Sequence, residues 1–123
     1  MKYDLEERTA GFGERIIDFA KKVKKDNVFL SIVIQSVRSG TSIGANYSEA
    51  NQASSKRDFR NKIYICKKEA NETKYWLRML AKTFPDKKLE CRILWKEAHE
   101  LTLIFSKILS SSKKTINNKI SNL

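Results

Sequence analysis

Lys56, Arg60, Lys67, Lys74 and Arg78 follow one another at spacings of four, seven, seven and four residues. At roughly 100° per residue those spacings place five cations in one line along a helix. Ammonium and guanidinium groups in a line can pair with phosphate oxygens along a nucleic-acid backbone without reading its sequence. Tyr64, Asn71 and Tyr75 run just outside the line, and a tyrosine ring can stack on an unpaired base. A solvated helix face of a basic protein has the same pattern, and Glu69 and Glu72 put negative charge nearby. Nothing in the line encodes particular bases.

The opposite flank of the same helix carries Ile65, Trp76 and Met79. Large apolar side chains outside a core seam mark a subunit interface, because an exposed patch of that kind is uncommon on a monomer. Trp95 on the following helix is a further candidate for this patch. The plainer reading is a core broadened beneath a long loop.

Other chemistry lacks its parts. With His99 as the single histidine, no histidine pair exists to hold a metal or relay a proton, and a carboxylate-histidine di-iron site needs two. Lys96, Glu97, His99 and Glu100 read as a solvated helix face. GTSIG, residues 40 to 44, lacks the lysine and the preceding strand of a phosphate loop. The serines have no histidine base in any recognisable motif. The expectation is therefore a protein that is not an enzyme and takes no cofactor or metal.

A chain of 123 residues forms one domain. Its 25 basic against 14 acidic residues leave a net charge of +11, an excess that favours phosphate-bearing or acidic partners. The N-terminal MKYDLEERTAGF is too charged for a signal peptide, and no stretch approaches the ~20 apolar residues of a membrane span. A cytoplasmic protein without membrane contact is expected. Cys66 and Cys91 are too few for a disulfide framework and read as reduced thiols.

Four helical patterns must position these groups. Leu5, Phe12, Ile16, Phe19 and Val23 define a first helix from Leu5 to Lys25. Asp26 or Asn27 would cap a second. There Val33, Val37, Gly40, Gly44, Tyr47 and Asn51 share one stripe, so the glycines read as sites of close helix packing rather than a loop. Each glycine costs about 1 kcal/mol of helix propensity, which packing must offset. A third helix follows the Ser54–Ser55 cap, with Phe59, Ile63, Cys66, Ala70, Thr73, Leu77 and Leu80 as its seam. Pro85 opens a fourth, with Leu94, Ala98, Leu101, Phe105 and Ile108 inward. Short links imply an all-α, antiparallel up-down-up-down four-helix bundle over residues 1–109. Residues 110–123 read as a basic polar tail, a frayed helix end or disordered.

The segment from Gln35 to Leu80 resembles the bacterial proteins encoded by intervening sequences of 23S ribosomal RNA genes. Arg38, Ser39, Ser42, Ile43, Asn46 and Glu49, then Asp58, Phe59 and Glu72, carry the resemblance. It covers the second and third helices closely and the others only in pattern. It implies a homopentameric ring of bundles, in a family whose members mostly have no established role. A distant similarity, clearest in YWLRMLA (Tyr75 to Ala81), is to the accessory variability determinant of diversity-generating retroelements, a basic pentamer that associates with a reverse transcriptase and binds nucleic acid. The family motif also draws attention to Gln35, Arg38, Ser42 and Glu49, a polar stripe on the second helix away from the glycines. The resemblance assigns that stripe to a subunit or ligand surface. Two functions follow as expectations: binding of RNA or DNA through the cationic line, or an adaptor role toward a protein partner such as a reverse transcriptase.

Overall fold

The computed structural model describes residues 4–121 except Lys25, with side chains described through residue 112. Helix α1 spans Leu5–Lys22 and is capped by Asp4, whose carboxylate accepts from the Glu7 amide at 3.2 Å. It stops short of the expected Lys25 because Val23 turns extended. Helix α2, Leu30–Asn51, runs unbroken through both glycines. It starts later than the expected cap at Asp26 or Asn27. Asp26 instead takes the Val28 amide at 2.9 Å, and its carbonyl takes that of Phe29, a turn that competes with helix at this position.

Helix α3, Lys56–Thr83, opens on the expected Ser54–Ser55 cap, which Asp58 completes as a box: Ser55 Oγ accepts from the Asp58 amide at 3.0 Å, and Asp58 Oδ2 accepts from the Ser54 amide at 3.4 Å. Pro85–Lys87 form a single 3-10 turn that leads into α4, Lys88–Ser121. Helix α4 thus continues past Leu109, where the folded unit was expected to end. The side chains of its last residues, and hence the expected role of the tail, lie outside the described residues.

Named contacts fix the direction of each neighbour. Gly40 meets Ile16 while Gly44 meets Thr9 and Ala10, so α2 runs against α1. Arg38 pairs with Glu69 and Glu72, and Lys62 with Glu49, so α3 runs against α2. Lys74 meets His99 and Arg60 meets the Leu109 carbonyl, so α4 runs against α3. Arg8–Glu97 and Lys22–Glu90 close the circle between α1 and α4. Four antiparallel helices therefore enclose one core.

That core holds Phe12, Ile16 and Phe19 from α1, Ile43 from α2, Ile63, Cys66, Ala70, Leu77 and Leu80 from α3, and Leu94, Ala98, Leu101 and Phe105 from α4. Burying each large side chain contributes about 1.5–3 kcal/mol. Phe59 and Ile108, at the ends of the expected seams, are only partly buried. Sequence reasoning missed the two buried serines of α2. Ser36 Oγ donates to the Val33 carbonyl at 2.7 Å, and Ser39 Oγ lies 3.0 Å from Thr73 Oγ1. Both hydroxyls are satisfied within the core, so their burial carries little penalty.

The glycines act by absence. A Cβ on Gly44 would stand 3.2 Å from the Thr9 carbonyl carbon and 3.3 Å from the Ala10 nitrogen, both backbone atoms. One on Gly40 would stand 2.9 Å from Ile16 Cγ1. Gly11 faces nothing within 4 Å. Gly11→Ala should therefore raise the unfolding free energy by about 0.5–1 kcal/mol through helix propensity alone. Gly40→Ala should lower it by about 1–3 kcal/mol through overpacking. Urea midpoints of the two variants check the contrast.

Candidate nucleic-acid interface

Carboxylates decide where cations are free to act. On the α2–α3 flank, Arg38 Nη1 donates to Glu69 Oε2 at 3.2 Å, its Nη2 donates to Glu72, and its Nε donates to Gln35 Oε1 at 2.9 Å. Glu72 also accepts from Trp76 Nε1 at 2.9 Å. One guanidinium thus gathers both mid-helix glutamates of α3 onto a single edge. Charge-assisted bonds of this geometry are stronger than neutral ones.

Two sets of residues predicted as interface meet here. Trp76, half-buried beside Ile65 and Met79, joins the α2 polar stripe through Glu72. The rest of the stripe is not one network. Ser42 Oγ donates back to the Arg38 carbonyl at 2.6 Å, and Glu49 stands apart, 3.7 Å from Lys62.

On the α1–α4 flank, Arg8 grips Glu97 with two bonds of 2.6 and 2.7 Å, and Lys22 holds Glu90 at 2.7 Å. The bond to Glu97 raises the Arg8 pKa above its ordinary value. Glu97 is therefore not part of a solvated face. Neither is His99, whose ring stacks on Trp95 with centroids 5.2 Å apart and planes 13° from parallel.

The α3–α4 edge is left to cations and rings. Lys74 Nζ lies 3.1 Å from His99 Nδ1 and 5.2 Å from the centre of the Trp95 ring. Trp95 consequently sits on the opposite side of α3 from Ile65, Trp76 and Met79 and does not join them. Arg60 reaches across to the Leu109 carbonyl at 3.4 Å, and its Nε is buried with no partner among the described residues. Lys67 is half-buried, while Lys56 and Arg78 are exposed. Of the cationic line predicted from spacing, Arg60 and Lys74 are turned onto α4, while Lys56 and Arg78 point to solvent.

Beyond Arg78 the edge opens into a groove of about 490 Å³. Leu77, Ala81, Cys91 and Trp95 form its apolar part, Arg78, Lys88, Arg92 and Lys96 its cationic part, and no carboxylate lines it. Around the back of α3, Arg57, Tyr64, Lys68, Asn71, Tyr75, Arg78 and Lys82 are all exposed. Tyr64 is 62% and Tyr75 54% exposed, and no acidic residue interrupts the row. Arg57, Lys68 and Lys82 were missed in the sequence. Their signal was present, since they keep the four-three rhythm on the side opposite the seam.

A model of the 23S rRNA-intervening sequence proteins matches residues 2–84, about two thirds of the chain. The chain belongs to that family. Membership rests on α1, α2 and α3 together, a wider span than the Gln35–Leu80 resemblance, and stops short of α4. Among solved structures, a protein of unknown function from the S23 ribosomal protein family of Bacteroides thetaiotaomicron VPI-5482 is 35% identical. It superimposes with a TM-score of 0.79 over 86% of this chain and 98% of its own. No functionally curated protein matches the sequence. No helix among the described residues is long and apolar enough to cross a membrane.

Burial pushes the Cys91 thiol up to about 11 and the Cys66 thiol up to about 12 from an ordinary 9.0. Since the thiolate is the nucleophile, both should resist iodoacetamide at pH 8 in the folded protein and react once urea unfolds it. The unfolded chain releases these protons first, so their contribution to stability is complete below pH 9.0 and is lost as pH rises toward 12. Mass-detected alkylation and urea midpoints at pH 8 and pH 10 check both outcomes.

Proposed function

We propose that this family member is a non-catalytic, oligomeric protein that binds RNA or DNA through the outer face of α3 and the adjoining α3–α4 edge. One observation carries the reading: α3 presents an exposed row of cations and tyrosines without a carboxylate in it, while Glu69 and Glu72 are held by Arg38 on the far flank. Lysine and arginine on that row would displace counterions from phosphates, and Tyr64 and Tyr75 would stack on bases or bond to the backbone. The net charge of +11 would add long-range attraction.

Self-association is part of the proposal. The half-buried Ile65, Trp76 and Met79, together with Arg38, Ser42 and Glu49, would form the contact between copies, on the opposite flank from the cationic edge. Such an arrangement, a homopentameric ring by the family resemblance, would repeat the basic face around the assembly and give avidity from weak single contacts. A second reading gives the apolar flank and the α2 polar stripe to a protein partner, such as a reverse transcriptase, in place of another copy of the chain.

Binding to single-stranded and duplex RNA and DNA across a salt series separates the two. Affinity should fall linearly in log–log form, with a slope of about −0.9 per phosphate contacted on duplex DNA and about −0.7 on a single strand. Changing Arg57, Lys68 and Arg78 to glutamate should remove most of that slope and more than tenfold of the affinity. Removing the residues after Leu109 should change it little. If the tail deletion abolishes binding and the glutamate variant does not, the α3 face is the wrong surface. Light scattering should give five times the mass of one chain, and a monomer mass would remove the ring.

A further inference from the structure

The groove at the end of the α3–α4 edge differs from the outer face of α3 in kind. It has an apolar bed of Leu77, Ala81, Cys91 and Trp95, where the outer face offers only solvated cations and two tyrosines. Its volume of about 490 Å³ lies within the range of roughly 300–1,000 Å³ that small molecules occupy. Phosphate contacts alone do not call for such a bed.

Trp95 is the member best placed to meet a ring. Its indole is 37% exposed at the groove, while His99 stacks on it and Lys74 approaches it at 5.2 Å. These two neighbours fix the indole plane before anything binds, so a planar ligand need not order it. Arg78, Lys88, Arg92 and Lys96 ring the bed with positive charge. A ligand that fits both parts is flat and apolar at its centre and anionic at its edges.

We propose that this groove receives an unpaired base of a single-stranded nucleic acid, the base packing against Trp95 and the flanking phosphates meeting Arg78, Arg92 and Lys96. The inference rests on the nucleic-acid reading of the α3 face and deepens it. Arg78 belongs to both the outer row and the groove wall, so a strand lying along α3 passes directly into the groove. A duplex keeps its bases stacked and paired, and so presents only phosphates here. The protein should therefore prefer single strands over duplexes.

The test uses the full-length protein and a twelve-residue oligothymidylate, an abasic strand of the same length, and a duplex. Fluorescence anisotropy gives affinity, and the part of the tryptophan emission change that is lost in Trp95→Phe, where only Trp76 still emits, reports on Trp95. The base-bearing strand should bind about tenfold tighter than the abasic one, in line with stacking energies measured by alanine substitution. Trp95→Ala should erase that difference while leaving abasic binding unchanged, and Trp95→Phe should keep most of it. Circular dichroism establishes that both variants fold, and Trp95→Phe carries the test through its affinities for the base-bearing and abasic strands if the alanine variant does not.

Equal affinity for base-bearing and abasic strands would overturn the proposal. So would equal loss of both on Trp95→Ala, or a change of oligomeric mass in that variant. If strands bind without base preference yet still lose binding in the α3 glutamate variant, the groove inference falls and the face reading stands. If no strand binds, both fall.

Discussion

Arg38 organises the charge of this bundle. Its guanidinium takes Glu69 and Glu72 from the neighbouring helix and Gln35 from its own, which ties α2 to α3 on the flank where helical spacing places both glutamates. Arg8 and Lys22 do the same to Glu97 and Glu90 of α4. With Glu69, Glu72, Glu90 and Glu97 held on the α2–α3 and α1–α4 flanks, the groove at the α3–α4 edge is lined by cations without a carboxylate. Partly exposed ion pairs of this kind contribute little to stability individually. Their larger effect is positional, on where the uncompensated cations come to lie.

The glycines of α2 give the second constraint. Helix α1 lies so close that a methyl group on Gly44 would press on its backbone. Opposite that contact, Ser39 and Thr73 bring α3 against α2 by a buried hydroxyl pair. Small residues on both sides of α2 thus let one helix sit tightly between two others. The outward faces of α3 and α4 keep their long, exposed side chains. A close-packed interior with an exposed cationic exterior suits a surface that tracks a flexible backbone.

Much of this was legible in the sequence because it follows from period alone. The seam residues of α3, from Ile63 to Leu80, are buried as their spacing demands, and Gly40 and Gly44 lie inside an unbroken helix. Start points were less legible: Asp26 closes a turn where a cap was expected, since asparagine and aspartate serve both roles. The directions of the candidate site's side chains were not legible for a physical reason. Spacing places Lys74 and Arg60 on one line but is silent on which way a long side chain leans, and both lean onto α4. Trp95, a candidate for the Ile65–Trp76–Met79 patch, lies by Lys74 on the other side of α3, because the relative rotation of α4 is set by packing, which periodicity within one helix does not encode.

The central claim is that the carboxylate-free side of α3 and its edge with α4 form the nucleic-acid surface. Photocrosslinking a 4-thiouridine-bearing RNA to the protein, followed by mass-spectrometric location of the adducts, tests it most directly. The account predicts adducts at Tyr64, Tyr75 and Trp95, suppressed by added salt. Adducts confined to α1, to the Ile65–Trp76–Met79 flank or to the residues after Leu109 would contradict it.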